Sequence, residues 1–122
     1  MAAPNIVNVT TIYGRTTGKA LTSSSQDILV NTASSNKVLK INSIIVANVD
    51  GINPDDVTVK WYNADNTTAF SLASTVTVPA DTTLVVLGKD APIYLEEGDK
   101  IQALGLAASG DLEIIISYEE LS

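Results

Sequence analysis

Asp56-Val57-Thr58-Val59-Lys60-Trp61-Tyr62 is the stretch that decides the fold class. Val57, Val59 and Trp61 alternate with Thr58, Lys60 and Tyr62, so an extended backbone puts the first three on one face and the others on the opposite face. A helix would scatter the same apolar residues around its circumference. Asp111 to Glu120 repeats the pattern, with Leu112, Ile114, Ile116 and Tyr118 on one face and Glu113, Ser117 and Glu119 on the other. Ile115 alone breaks the polar rule on that second face and is an interface candidate. Val38 to Val49 is the longest such run. Leu39, Ile41, Ser43, Ile45, Ala47 and Val49 alternate there with Val38, Lys40, Asn42, Ile44, Val46 and Asn48, and both faces are apolar at the middle. That predicts a central strand covered on both sides, with Ile44 and Val46 supplying a second apolar contact face.

The same reading places further strands at Ile6 to Ile12, Lys19 to Thr22, Gln26 to Asn31, Ala69 to Val78, Leu84 to Leu87, Ile93 to Leu95 and Lys100 to Leu106. Val, Ile and Thr dominate, and these β-branched side chains suit a pleated surface. Turn residues separate the runs, as in Asp50-Gly51-Ile52-Asn53-Pro54-Asp55, Asn63-Ala64-Asp65-Asn66, Glu97-Gly98-Asp99 and Ser109-Gly110-Asp111. The expected architecture is all-β, a single-domain antiparallel β-sandwich, jelly-roll-like, of about 8–10 strands, with a barrel as the alternative. Residues 1–5 precede the first expected strand and contain Pro4. They read either as an extended arm that grips a neighbour through Ala2, Ala3 and Pro4 or as a frayed end. Residues 6–122 form the sandwich.

Composition removes most functional classes. The chain has 122 residues, 45% hydrophobic and 17% charged, enough for one core and too apolar for a disordered tail. Seven basic against 14 acidic residues leave a charge of -7, which repels a phosphate backbone, so nucleic acid is not an expected partner. Cys and His are absent, which removes thiol chemistry, disulfides, the usual zinc sites and the imidazole base. Met1-Ala2-Ala3-Pro4-Asn5 has no basic and apolar signal pattern, and Ile44-Ile45-Val46-Ala47 is far too short to span a bilayer. Synthesis in the cytoplasm and no membrane partner are expected.

Individual motifs offer little chemistry. Gly14-Arg15-Thr16-Thr17-Gly18-Lys19-Ala20 has the wrong spacing for a phosphate loop, lacks the Ser or Thr after Lys19, and reads as a glycine-bounded basic loop. Asp50, Asn53, Asp55 and Asp56 gather hard oxygen ligands of the kind calcium uses, but not at EF-hand spacing, so a capped turn is the better reading. Asn63, Asp65 and Asn66 read in the same way. Glu96/Glu97 and Glu119/Glu120 are adjacent pairs that diverge along a strand or sit at a turn, and read as solvated surface charge rather than a glycosidase pair. Hydroxyls are plentiful but no base activates them. Trp61 reads as core packing or, alternatively, as a stacking platform for sugars in a loop region reaching to Thr68. No catalytic, cofactor or metal residue is expected.

Met1-Ala2-Ala3-Pro4-Asn5-Ile6, Val78-Pro79-Ala80-Asp81, Ala91-Pro92-Ile93-Tyr94-Leu95-Glu96-Glu97-Gly98-Asp99 and Ile116-Ser117-Tyr118-Glu119-Glu120, taken in order, resemble small virion structural proteins of marine tailed bacteriophages of the cyanophage type. The resemblance spans essentially the whole chain. It implies a non-enzymatic particle component located in the virion, a capsid decoration or cement subunit. Its partners would be the major capsid protein or other virion proteins, and copies of itself, with a trimer favoured. The alternative is a neck, fibre or tail-associated module that recognises a host surface glycan. The absence of Cys agrees with folding in a reducing cytoplasm.

Overall fold

The computed structural model describes residues 6–106 and 111–122. Nine strands occur among them: β1 Ile12–Ala20, β2 Gln26–Val30, β3 Val38–Asn48, β4 Asp55–Asn63, β5 Thr68–Val78, β6 Thr83–Leu87, β7 Ile93–Leu95, β8 Lys100–Gly105 and β9 Leu112–Leu121. They form two antiparallel sheets. One runs β1-β9-β3-β6 with β7 also on β3, and the other runs β2-β8-β4-β5. β6 lies along Ile44 to Ala47 of β3 and β7 along Leu39 to Ile41, so the two short strands make one interrupted edge. With that edge counted as one strand, the pairs β1·β9, β2·β8, β3·β6/β7 and β4·β5 nest as a long hairpin folded over on itself. This is the jelly roll, and the barrel alternative is set aside by the two separate sheets.

The inner faces supply the core. Ile41, Ile44, Val46, Leu95, Leu112, Ile114 and Ile116 of the first sheet meet Leu29, Val57, Val59, Val78, Ile101 and Ala103 of the second. Inward positions of β4 and β9 are those the alternation predicts, with Trp61 and Tyr118 partly buried at the margins. Burial of side chains this size stabilises by about 1.5–3 kcal/mol each relative to exposure, against the entropy of ordering the chain.

β3 corrects the expectation of a strand apolar on both sides. Ile41 faces Tyr118 while Ser43 faces Ser117, so one extra residue is inserted in β3 at Asn42 and Ser43. A bulge of this kind exchanges the two faces of the strand. Leu39 and Ile41 point inward before it, and Ile44, Val46 and Asn48 point inward after it. Ile44 and Val46 are 0% exposed and belong to the core, so they offer no interface.

The start of the chain also departs from expectation. Ile6, Val7 and Asn8 are turn and bend rather than strand, and the backbone first joins the sheet where Thr10 and Thr11 donate to the Ser122 carbonyl. β1 then runs through Gly14 to Ala20, the stretch expected to be a loop. Its glycines concealed a strand, because they carry no side chain to report the alternation.

Candidate assembly surface

Eight of the nine residues of β1 are exposed, the exception being half-buried Thr17. Among the described residues β1 pairs only with β9, gives no side chain to the core and keeps strict register from Ile12 opposite Leu121 to Ala20 opposite Glu113. The other edges are broken. β2 shifts register between Asp27 and Leu29, and the β6/β7 edge is interrupted. β5 shifts register twice against β4, with Thr75 at φ 52° donating its N–H to Thr58 Oγ1 at 3.0 Å. Bulges and short strands blunt an edge against further pairing. Among the described edge strands only β1 is both long and free of a register shift, with Arg15 and Lys19 as its charges.

The outward face of the first sheet falls into rows set by the pairing. One row runs Gly18, Ile115, Ile45, Val85 across β1, β9, β3 and β6. Beside it lies the row Ala20, Glu113, Ala47, Thr83. On the other side, beyond Thr16, Ser117 and Ser43, the row Gly14, Glu119, Lys40, Tyr94 ends on β7. Val85 is 62% exposed and Ile115 38%. A shallow hollow beside Ile115 is lined by Gly18, Lys19, Ala20 and Glu113. Small residues thus line the β1 side of the face, while Val85 and Tyr94 stand out at the opposite edge.

The inward side of β1 is polar. Arg15 Nε lies 3.0 Å from Glu120 Oε2, and Lys37 Nζ lies 2.6 Å from Glu120 Oε1. The Lys37 hydrogen bond, helped by the charges of Lys37 and Arg15, holds the Glu120 carboxyl below the usual range despite partial burial. Asp27 is lowered first by its hydrogen bond from Gln102 and then by Lys100, whose ammonium sits 3.3 Å away. Asp50 is lowered by the backbone N–H groups of Ile52 and Asn53.

Asp50 Oδ1 accepts from those two N–H groups at 2.8 and 3.1 Å, and Asp50 Oδ2 accepts from Asn53 Nδ2 at 3.3 Å. Asp55 Oδ1 accepts from the Asp56 N–H at 2.8 Å, and Asp56 Oδ1 from the Thr77 hydroxyl at 2.7 Å. The four residues cap their own loop and the start of β4. No cluster of three or more acidic side chains among the described residues is arranged to hold a metal ion. Ile115 lies on the outward face as expected, whereas Ala2, Ala3 and Pro4 lie outside the described residues.

Glu97 is corrected from surface charge to interior: it is 1% exposed and its carboxylate accepts from the Asn36 N–H. Asp99, also buried, accepts from the Ala64 and Glu96 N–H groups at 3.0 and 3.2 Å. Gly98 between them takes φ 89°, a conformation that favours glycine. Its N–H donates to the Asn31 carbonyl at 2.7 Å, while Asn31 Nδ2 donates to Leu95 and Lys37 carbonyls, both at 2.9 Å. The Glu-Glu-Gly-Asp turn is therefore a structural latch between loops. Burial of its carboxylates carried no sequence signal beyond Gly98 itself.

Trp61 is half-buried, stacks on Phe70 with ring centroids 5.7 Å apart and turns its indole nitrogen into the protein. The core-packing alternative is the one the geometry takes. No helix among the described residues is long and apolar enough to cross a membrane.

No protein-family model matches the chain, and a search of curated proteins finds no match. Among solved structures the chain is similar to the protein of Bacillus endospore appendages, described as a novel family of disulfide-linked pili. Identity is 15%, with 92% of this chain and 87% of that chain covered and a TM-score of 0.53. That likeness is one of fold. Two structures of a pentameric capsid protein isolated from metagenomic phage sequences follow. One has a TM-score of 0.39 at 15% identity over 87% of this chain, the other 0.37 at 14% over 98%. The chain spans 64% of each of those capsid chains.

Proposed function

We propose that the chain is a non-enzymatic structural subunit of a phage particle, a decoration or cement subunit on the head. The observation that carries this reading is β1, a nine-residue strand in unbroken register that, among the described residues, has a partner strand on one edge alone and contributes no side chain to the core. A strand kept in that state is suited to a neighbour rather than to the stability of the isolated domain. The sequence resemblance to virion proteins supplies the particle. The subunit sits on the major capsid protein, held by residues 1–5 and the β1 edge, and copies of it associate, with a trimer as the order the resemblance favours.

Composition and the pairing of the buried carboxylates support a non-enzymatic role. Without His or Cys the chain lacks the usual activating base, and its buried carboxylates Glu97 and Asp99 accept hydrogen bonds from backbone N–H groups. Glycan recognition around Trp61 to Thr68 is disfavoured by the packing of the indole against Phe70. Co-sedimentation of purified protein with heads stripped of it tests the reading. Saturable binding to heads, absent with tails, is expected, and binding to tails alone would overturn it.

A further inference from the structure

We infer that the outward face of the β1-β9-β3-β6/β7 sheet is a two-fold contact that takes a second copy of this chain. The inference stands independently of the phage reading, since it concerns only how copies meet. A two-fold axis parallel to the strands, midway between the two facing sheets and above the line between β9 and β3, lays β9 of one copy over β3 of the other. It likewise lays β1 over β6 and β7. Two sheets stacked this way face each other with their strands near parallel, within the range of aligned packing.

Each row of the face is complementary to itself under that operation. Ile115 meets the partner's Ile45. Lys40 and Glu119 are cross-strand neighbours within each chain, where Glu119 also accepts from Asn42 Nδ2 at 2.9 Å, and the two-fold sets each of them against the opposite charge of the partner as well. Gly18 and its hollow meet the partner's Val85, and Gly14 meets the partner's Tyr94, placing the smallest residues against the most protruding. Glu113 falls over the partner's Ala47 instead of over its own copy.

The glycines supply an independent argument. Gly14 and Gly18 have no positive φ; a Cβ on Gly14 would meet nothing within 4 Å, and one on Gly18 only atoms at 3.4 and 3.7 Å. Nothing among the described residues requires either of them. Glycine inside a strand costs stability and marks positions that another backbone or ligand approaches closely. Both lie on the outward face of the one strand that gives nothing to the core.

The four rows occupy about 20 Å by 20 Å from strand spacing and rise, on the order of 1,000 Å² for two copies once side-chain relief is counted. That is the lower end of stable interfaces.

Sedimentation equilibrium of the full chain across the micromolar range tests the inference. The expected result is a mass that doubles, from monomer to dimer or from trimer to hexamer. Ile115→Lys is expected to weaken the doubling by about a hundredfold or more, since it buries an unpaired charge. Lys40→Glu and Glu119→Lys each weaken it, and the double variant restores it. Gly14→Val folds at least as stably as the wild type in thermal melts yet weakens the doubling, which separates a contact effect from misfolding. A chain whose mass never doubles, or doubles equally in Ile115→Lys and Gly14→Val, would overturn the inference.

Discussion

Asn48 Nδ2 donates to the carbonyl of Val78 at 2.9 Å, so the last residue of β3 in one sheet holds the last residue of β5 in the other. The same amide nitrogen donates to the Asn53 carbonyl at 3.0 Å, and Asn48 Oδ1 accepts from the Asp50 N–H at 2.9 Å. The side chain is 2% exposed. Asn48→Ala strands buried carbonyls and an N–H, and a loss of about 2–4 kcal/mol in denaturant unfolding is expected. Asn48→Asp is expected to fare no better, because it keeps the acceptor and turns a carboxylate toward two carbonyls.

Ile116 lies at the centre of the core, opposite Ile44 and fully buried. Ile116→Ala is expected to cost about 2–5 kcal/mol, as the lost transfer energy adds to that of the cavity. Ile115→Ala, one residue away on the outward face, is expected to change the stability of the isolated chain by less than about 1 kcal/mol. Chemical denaturation of both variants checks the contrast.

Stability is expected to fall on acidification. Glu120, Asp27 and Asp50 are all held below their ordinary values in the folded chain. As pH drops, the unfolded chain takes up these protons first. The contribution is therefore complete above the unfolded carboxylate values of about 4 and is lost as pH falls through the lower folded values. Lys37 contributes most to the Glu120 shift, so Lys37→Met is expected to move the acid unfolding midpoint upward, by a small amount because the Lys37 side chain is partly exposed and the pair is screened by solvent. Thermal melts over a pH series measure it.

Trp61 is expected to emit at blue-shifted wavelengths, and its emission is expected to be unchanged by added mono- and oligosaccharides, because the indole packs on Phe70 and turns its nitrogen inward. Phe70→Ala is expected to red-shift the emission. Quenching of the wild-type emission by a sugar would revive the glycan reading.

Sequence periodicity exposed the strands that bury one face and little else. β4 and β9 alternate cleanly because each inward position is apolar and each outward one mostly polar. β3 misled because its bulge at Asn42 and Ser43 shifts the period by one residue, and a one-dimensional pattern with both phases apolar looks like a strand buried on two sides. β1 was hidden for the opposite reason: it buries nothing, so no hydrophobic period marks it. Glu97 and Asp99 could not be read as buried, since the N–H groups that satisfy them come from Asn36 and Ala64, on other loops. Ile115 was legible as an outward-facing apolar residue because it is apolar in an otherwise polar phase, while its row partners Ile45 and Val85 emerged only with the strand pairing.

The most direct measurement is electron cryomicroscopy of particles released by cells that carry this gene, with a purified-protein control to identify the jelly roll in the density. The account predicts copies of the sandwich on the outside of the head, each with β1 covered by a neighbouring chain. Copies confined to the tail, or a head-bound sandwich with β1 facing solvent along its whole length, would contradict it.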